Sequence, residues 1–421
     1  MSNSELKILY GGMIINGIDV EPIKEKAIII EGNTIKDIID SNSISDWEDR
    51  AYYLIDLKGK YVLPGFIDTH THVQLSGVQP EIQNFRESIP KKTLRAACNA
   101  RKTIEAGFTT IRDLGAEYLI DLGLRDAINE GLVTGPRMFV SGYKIMPTGA
   151  DFPIYAPEVE IKGLYTMDSP AEINKAVRTL LARGVDLIKV MTSGRTFRKS
   201  SSPDAHALTL EETKMVVEEA HNQNKKVSAH AHGRKGIKIA LQAGCDSLEH
   251  GTVLDDQDIE LMIKNDVFLV PTLSYGKHIE MLKSDCSLPE WSIKKALKSR
   301  EKRLQSFSKA LKSGVKIAMG SDSGMPFVNH GENAFELIAM IEAGMTAMQA
   351  IQSMTSWAAE LIGVSDKIGS IVPGKIADMV VIDKNPLGDI SLLCQKKNIK
   401  GVVKEGKIII DRDLQIKKTN D

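Results

Sequence analysis

The chain has 421 residues, and its 54 basic and 55 acidic side chains leave a net charge of −1. That length supports a large core and more than one minimal domain. The balanced charge offers no electrostatic footprint for nucleic acid or an anionic membrane, so neither is expected as a partner.

The four cysteines, Cys98, Cys245, Cys286 and Cys394, have no CxxC or paired spacing. A disulfide scaffold is therefore not expected, and a reducing compartment is. The N-terminal stretch lacks a charged region followed by a long apolar one, and no segment reaches about 18 uninterrupted apolar residues. These features predict a cytoplasmic protein.

Residues 6 to about 60 alternate short β-like pieces with turns: Lys7–Tyr10, Met13–Asn16, Ala27–Ile30 and Thr34–Ile38. Gly32-Asn33 between two of them is a hairpin signal. From about 62 to 368, strand-like runs alternate with amphipathic helices. Ile173, Val177, Leu180 and Leu181 share one helical face, and Thr209 with Glu212 forms a capping-box pattern. The charge run Lys294–Arg303 reads as the solvated face of a helix. After it, Gly374–Asp383 reads as a strand and Val402–Ile410 as a hairpin with Glu405-Gly406 at its tip. Strand and helix in alternation predict an α/β fold with a parallel sheet, and at this length a (β/α)8 TIM barrel over 62–368. Neither end closes a sheet alone, so 1–61 and 369–421 are expected to pair into one small β-sandwich.

The apolar run that ends in His70-Thr71-His72 directs both imidazoles to the same face of a strand, because side chains alternate with period two. Two neutral imidazoles aimed at one point make a metal half-site. Further along, Val185–Met191 carries Lys189 inside an apolar strand. A lone buried lysine is costly, so it must be paired, neutralised or chemically altered. Three more apolar runs end in His230-Ala231-His232, in His250, and in Gly320-Ser321-Asp322. His221 and His278 lie on polar or charged stretches and carry no site signal. Gly-x-Ser-x-Gly is absent, which weakens a serine-hydrolase alternative.

With these residues the chain resembles the amidohydrolase superfamily, in its imidazolonepropionase-related branch of dipeptidases and amidases, over nearly its whole length. The resemblance implies two divalent metal ions, zinc by default, at the mouth of the barrel. Their ligands would be His70, His72, Lys189 as a bridging carboxylated lysine, His230, His250 and Asp322. It implies hydrolysis of an amide bond of a dipeptide or N-acyl amino acid by water activated at the metals, with Asp322 moving the proton. His232, on the same face as His230, becomes a catalytic or substrate-contacting neighbour. Expected partners are a small-molecule or dipeptide substrate and further copies of the chain in a homo-oligomer.

For substrate recognition the candidates are Arg195 and Arg198, which could grip a carboxylate; Tyr275, just past strand six; and His330, after strand eight. Two departures from the family pattern fall in loops near the substrate: Thr148-Gly149-Ala150-Asp151 in place of Thr-Gly-Gly-His, and Ser193-Gly194-Arg195 in place of Ser-Gly-Gly. They keep open a non-peptide amide, carbamate, aryl urea or cyclic amide as the substrate. A non-catalytic scaffold is disfavoured because all six ligand positions are filled, and a deaminase is disfavoured by Lys189.

Overall fold

A computed structural model describes residues 6–47, 52–77, 86–150, 165–195, 202–282 and 290–418. Arg198 and Cys286 lie outside these. The N-terminal strands are β1 (Leu6–Tyr10), β2 (Met13–Ile14), β3 (Lys26–Glu31), β4 (Thr34–Asp40), β5 (Tyr52–Asp56) and β6 (Tyr61–Pro64). Seven strands follow in the middle of the chain: β7 (Phe66–Thr71), β8 (Phe108–Asp113), β9 (Arg137–Val140), β10 (Leu187–Met191), β11 (Lys226–Ala231), β12 (Ser247–His250) and β13 (Phe268–Val270). The last are β14 (Met379–Ile382), β15 (Ile399–Lys404), β16 (Lys407–Asp411) and β17 (Gln415–Lys418).

Both ends of the chain contribute to two five-stranded sheets, ordered β17-β5-β1-β3-β4 and β16-β15-β14-β6-β2. One apolar core lies between them, with Leu9, Ile28, Ile30 and Ile55 from the first sheet and Val62, Met379, Val381 and Val403 from the second. The alternate residues of the second sheet, Leu63, Val380, Ile382 and Val402, enter the core shared with the middle of the chain. This explains why β14 is buried at all four positions: each face meets a different core, so the strand reads as a continuous apolar run. At the tip of the β15–β16 hairpin, Glu405 and Gly406 both have positive φ, 53° and 72°, the pattern of a type I′ turn.

The middle strands form two parallel sheets, β7-β8-β9 and β10-β11-β12-β13, with helices between successive strands. Isolated parallel bridges join Ile145 to Val190, Leu269 to Ile317 and Thr71 to Ser323. The expected eighth strand, Val315–Ser323, forms no ladder among the described residues. Its end is fixed by other means: Asp68 accepts the Ser321 N–H at 3.0 Å, Asp322 N–H donates to the His70 carbonyl at 2.8 Å, and Asp322 has φ 62°.

The helix Pro170–Ala182 buries the predicted face, and Thr209 and Glu212 form the predicted capping box on Leu210–His221. The predicted charged helix spans Glu290–Lys312, but one of its charges turns inward. Arg303 is buried and donates to the Thr272 carbonyl at 2.7 Å. Among the described residues no helix is long and apolar enough to cross a membrane.

Candidate active site

The carboxyl ends of the middle strands converge on one cavity. Its wall includes His70 and His72 from β7 and its exit, Lys189 from β10, His230 from β11, His250 from β12, and Asp322. Arg195, Lys144, Met191 and Met325 complete it. Residues far apart in sequence thus meet because parallel strands place all their carboxyl ends on one side.

Hydrogen bonds behind the rings orient them. Glu249 accepts the Nδ1–H of His70 at 2.7 Å, and the Gly115 carbonyl accepts that of His72 at 3.3 Å. Either bond requires a proton on Nδ1, so that in the neutral ring Nε2 is the lone pair. Both Nε2 atoms face Asp322 Oδ1, at 3.5 Å from His70 and 3.3 Å from His72. Asp322 Oδ1 is buried and makes no hydrogen bond. Two lone pairs and a carboxylate oxygen, all acceptors, therefore crowd one point, an arrangement that a cation satisfies.

The remaining imidazoles form a second cluster. His250 Nδ1 is hydrogen-bonded to the Thr272 hydroxyl at 2.7 Å and His232 Nδ1 to that of Thr252 at 2.8 Å. His250 Nε2 lies 2.9 Å from His230 Nδ1. Ligand atoms of His230, His232 and His250 lie within 4.8 Å of one another, as do those of His70, His250 and Asp322. His250 has φ 74° and Thr272 φ 50°. Such backbone is uncommon for side chains of this shape, and it clusters at functional sites.

Lys189 is buried, and its Nζ has no hydrogen-bond partner among the described residues. Burial, with Arg112 and Lys144 nearby, pushes its amine down to about 7 against the pull of Glu249 and Asp322. Burial pushes the His72 imidazole down to about 4, and drives His230, His232 and His250 well below the usual range, helped by neighbouring histidines at His230 and His250 and by Arg303 at His232. Burial would raise the Asp322 carboxyl, but His70, His72 and Lys189 outweigh it and hold the group well below the usual carboxylate range. The neutral imidazole is thus favoured at His72, His230, His232 and His250, beside a weakly basic amine and an ionised carboxylate. This donor set, with orphaned buried atoms at Lys189 Nζ, His230 Nε2, His232 Nε2 and Asp322 Oδ1, fits divalent cations.

The other expected substrate residues are dispersed. Arg195 is on the cavity wall. Tyr275 follows the seventh parallel strand rather than the sixth, and lines a neighbouring cavity with Arg300 and Arg303. His330 is buried, with Nε2 donating to the His72 carbonyl at 3.2 Å and Nδ1 facing the Thr103 hydroxyl at 3.5 Å. His221 ends its helix against Asp246. The described cysteines, Cys98, Cys245 and Cys394, are free.

Sequence reasoning missed Arg112, Glu249 and Lys144. For the first two the signal was the one that singled out Lys189, a charged residue inside an apolar strand. Arg112 donates to Glu249 Oε1 at 2.8 Å and to Ser247 Oγ at 3.0 Å, so the two charges compensate each other in the interior between the parallel sheets. Lys144 lies on a connection and gave no such signal.

The fold and site can now be compared with known proteins. Residues 61–409 match the model of the Amidohydrolase family. The ochratoxinase of Aspergillus niger is 30% identical over 433 residues, covering 96% of this chain and 87% of that protein. A solved Xaa-Pro dipeptidase with methionine bound in its active site is 35% identical, with a TM-score of 0.85 over 96% of this chain and 99% of the other. A prolidase solved with N-methylphosphonate-L-proline is 28% identical, with a TM-score of 0.86 over 96% and 99%. The chain belongs to the amidohydrolase family, whose members are hydrolytic enzymes acting on carbon–nitrogen bonds.

Proposed function

We propose that this protein is a binuclear metal-dependent hydrolase that cleaves the amide bond of a dipeptide or an N-acyl amino acid. The observation that carries the reading is the convergence of His70 Nε2 and His72 Nε2 on Asp322 Oδ1, at 3.5 and 3.3 Å, with a third and fourth imidazole and a buried amine on the same cavity. His70, His72, Lys189, His230, His250 and Asp322 would hold two divalent ions, zinc being the default for imidazole and carboxylate donors. Bound there, such ions polarise the substrate carbonyl and lower the pKa of water.

Lys189 supports the binuclear form. An amine pushed down to about 7 has a large neutral fraction near pH 7, where an ordinary lysine has almost none, and the neutral amine is what adds carbon dioxide to give a carbamate. The carbamate brings two oxygen donors where the amine has one nitrogen. Asp322, ionised and beside the His-x-His pair, takes the proton of the attacking water and delivers it to the leaving nitrogen. His232 Nε2 faces the same cluster and supplies a hydrogen-bonding group toward the substrate, with its ring held by Thr252. Arg195, on the cavity wall, would bind a substrate carboxylate.

The same reading closes the parallel strands into a (β/α)8 barrel over 62–368, with 1–61 and 369–421 as the composite sandwich beside it. The three isolated parallel bridges support closure. The free cysteines support a reducing, cytoplasmic setting.

Metal content measured together with hydrolysis of a dipeptide library tests the proposal. About two ions per chain with a defined C-terminal preference is the expected result. Two ions with turnover confined to carbamates, aryl ureas or cyclic amides would replace the substrate class and keep the metal chemistry. Active protein with no bound metal would overturn the reading.

A further inference from the structure

Two rings of the site are held from outside the parallel strands by a single side chain. His232 and His250 stack with their planes 16° apart and their centroids 4.4 Å apart. Behind each stands a threonine, Thr252 at His232 and Thr272 at His250, with hydroxyl to Nδ1 distances of 2.8 and 2.7 Å. Thr252 follows β12 and Thr272 follows β13, so the two hydroxyls come from different loops. Arg303, on the helix Glu290–Lys312, meets both. Its Nε–H donates to Thr252 Oγ1 at 3.4 Å, and its Nη1 donates to the Thr272 carbonyl at 2.7 Å and to Thr272 Oγ1 at 3.3 Å.

A guanidinium is a rigid planar fork that only donates, so one such group fixes the spacing of two acceptors. Each hydroxyl gives Arg303 one lone pair and keeps its O–H and its other lone pair for an imidazole. Thr272 needs the support, because its φ of 50° is unfavourable for a β-branched residue. Arg303 is itself buried, and its bonds go to neutral oxygens while Asp322 and Glu336 attract it from longer range. A buried cation is a costly way to pack a helix, which points to a role for the fork. The same helix ties the loop after β12 a second time: Ser306 Oγ donates to the Thr252 carbonyl at 2.9 Å and accepts the Leu254 N–H at 2.9 Å. Those bonds reach backbone alone, so they serve as a reference for what anchoring the loop contributes.

We propose that Arg303 is a positioning residue that sets His232 and His250 as a pair, through Thr252 and Thr272, so that the ring facing the substrate keeps register with the ring that would hold a metal. The inference rests on the hydrolase reading for what the two rings do, and on the hydrogen bonds above for how they are held.

The ring nitrogens of metal-free protein are observed by NMR with isotope-labelled histidine, in wild type and in R303M, R303K and S306A, with H232Q and H250Q to assign the signals. R303M should shift the Nδ1 signals of His232 and His250 together and leave those of His70 and His330 in place. R303K keeps a cationic donor without the fork and should restore part of the wild-type positions. S306A should lower thermal stability and leave all four rings unmoved. Unmoved His232 and His250 signals in R303M, or the same shifts in S306A, would overturn the inference.

Chelator competition and kinetics on the metal-loaded enzyme give a second readout, which decides the matter even if R303M does not fold. T272A should weaken metal binding about 10- to 100-fold. T252A should raise KM for a cleaved dipeptide about 10-fold and keep metal affinity within about twofold. R303K should show both losses in milder form. Adding T272A to R303K should weaken metal binding less than T272A weakens it in wild type, because residues in one chain of contacts are not additive. Full additivity would remove Arg303 from the path to His250. Ring signals that respond to Arg303 as described, in a protein that cleaves no amide of any kind, keep the positioning and remove the hydrolase. Turnover with unmoved rings in R303M keeps the hydrolase and removes the positioning.

Discussion

Glu249 accepts the Nδ1–H of His70 at 2.7 Å while its other oxygen accepts from Arg112 at 2.8 Å, so one fully buried carboxylate both orients a proposed ligand and is neutralised by a cation. Burial would raise its carboxyl, but Arg112, the His70 bond and Lys189 hold it well below the usual range. It therefore stays an acceptor at neutral pH and holds the His70 Nδ1–H, which turns Nε2 toward Asp322. Glu249→Gln should lower metal affinity about 10- to 100-fold, read by competition with a chelator. Unchanged affinity would show that His70 is oriented by something else.

Asp322→Asn removes the proton carrier and keeps the shape. Loss of a positioned general base costs about 10²- to 10⁴-fold, and kcat should fall by that amount with metal partly retained. Metal analysis beside steady-state kinetics checks both halves. Full activity in the variant would rule out the proposed proton path.

Lys189→Ala should reduce bound metal and activity together, with partial recovery on adding short carboxylic acids that occupy the vacated space. The amine at about 7 also gives a pH dependence. Reloading of metal-free protein with metal and bicarbonate should slow as pH falls below 7, where protonation removes the nucleophilic amine. A reloading rate that is flat from pH 6 to 8 would argue against a carbamate.

His330 makes a prediction about stability. Burial pushes its imidazole down to about 4 from an ordinary value of 6.5, with the bond to the His72 carbonyl opposing the shift. Between pH 6.5 and 4 the unfolded chain binds a proton there that the folded chain refuses. The contribution is therefore fully present above 6.5 and is lost as pH falls through 4, at most about 3 kcal/mol. His330→Gln retains a donor for the His72 carbonyl without a titrating ring. Denaturant melts of both proteins should diverge least at pH 5 and most at pH 7.5 if the substitution costs packing, with a shallower pH slope in the variant. Equal slopes would assign the acid sensitivity to the other buried histidines.

Gly320 precedes Asp322 by two residues, where a Cβ would stand 2.4 Å from Val270 Cγ1 and 2.8 Å from His70 Cβ. Gly320→Ala should destabilise the protein by about 1–3 kcal/mol and weaken metal binding through displacement of His70. Thermal melts with and without metal would show both effects. A variant with native melting and affinity would mean that β7 yields without cost.

The local elements were legible because their signals are local. Short apolar runs marked β7, β10, β11 and β12, period 3.6 marked Pro170–Ala182, and Glu405-Gly406 marked the tip of a hairpin. His70, His72, Lys189, His230, His250 and Asp322 stood out as polar residues ending or interrupting apolar strands, where solvation alone disfavours them. Arg112 and Glu249 sent the same signal and were missed, because each looks unpaired until the fold brings β8 and β12 together.

Tertiary structure alone decided the rest. The segment Val315–Ser323 has the composition of a strand, and it bridges to β13 and β7 only at Ile317 and Ser323, with Asp68 and the positive φ of Asp322 fixing its end. Tyr275 and His330 sit near ligands in sequence order, but packing directs one into a neighbouring cavity and the other behind His72. Lys144 shows no pattern in the chain, because its place on the cavity wall depends on Ile145 docking against β10 and on the space left by Gly115. The sequence by itself determined which residues could not be left in an apolar strand without a purpose. Which of them face one another, and which charges compensate, depends on contacts between strands tens to hundreds of residues apart, and no local periodicity encodes those.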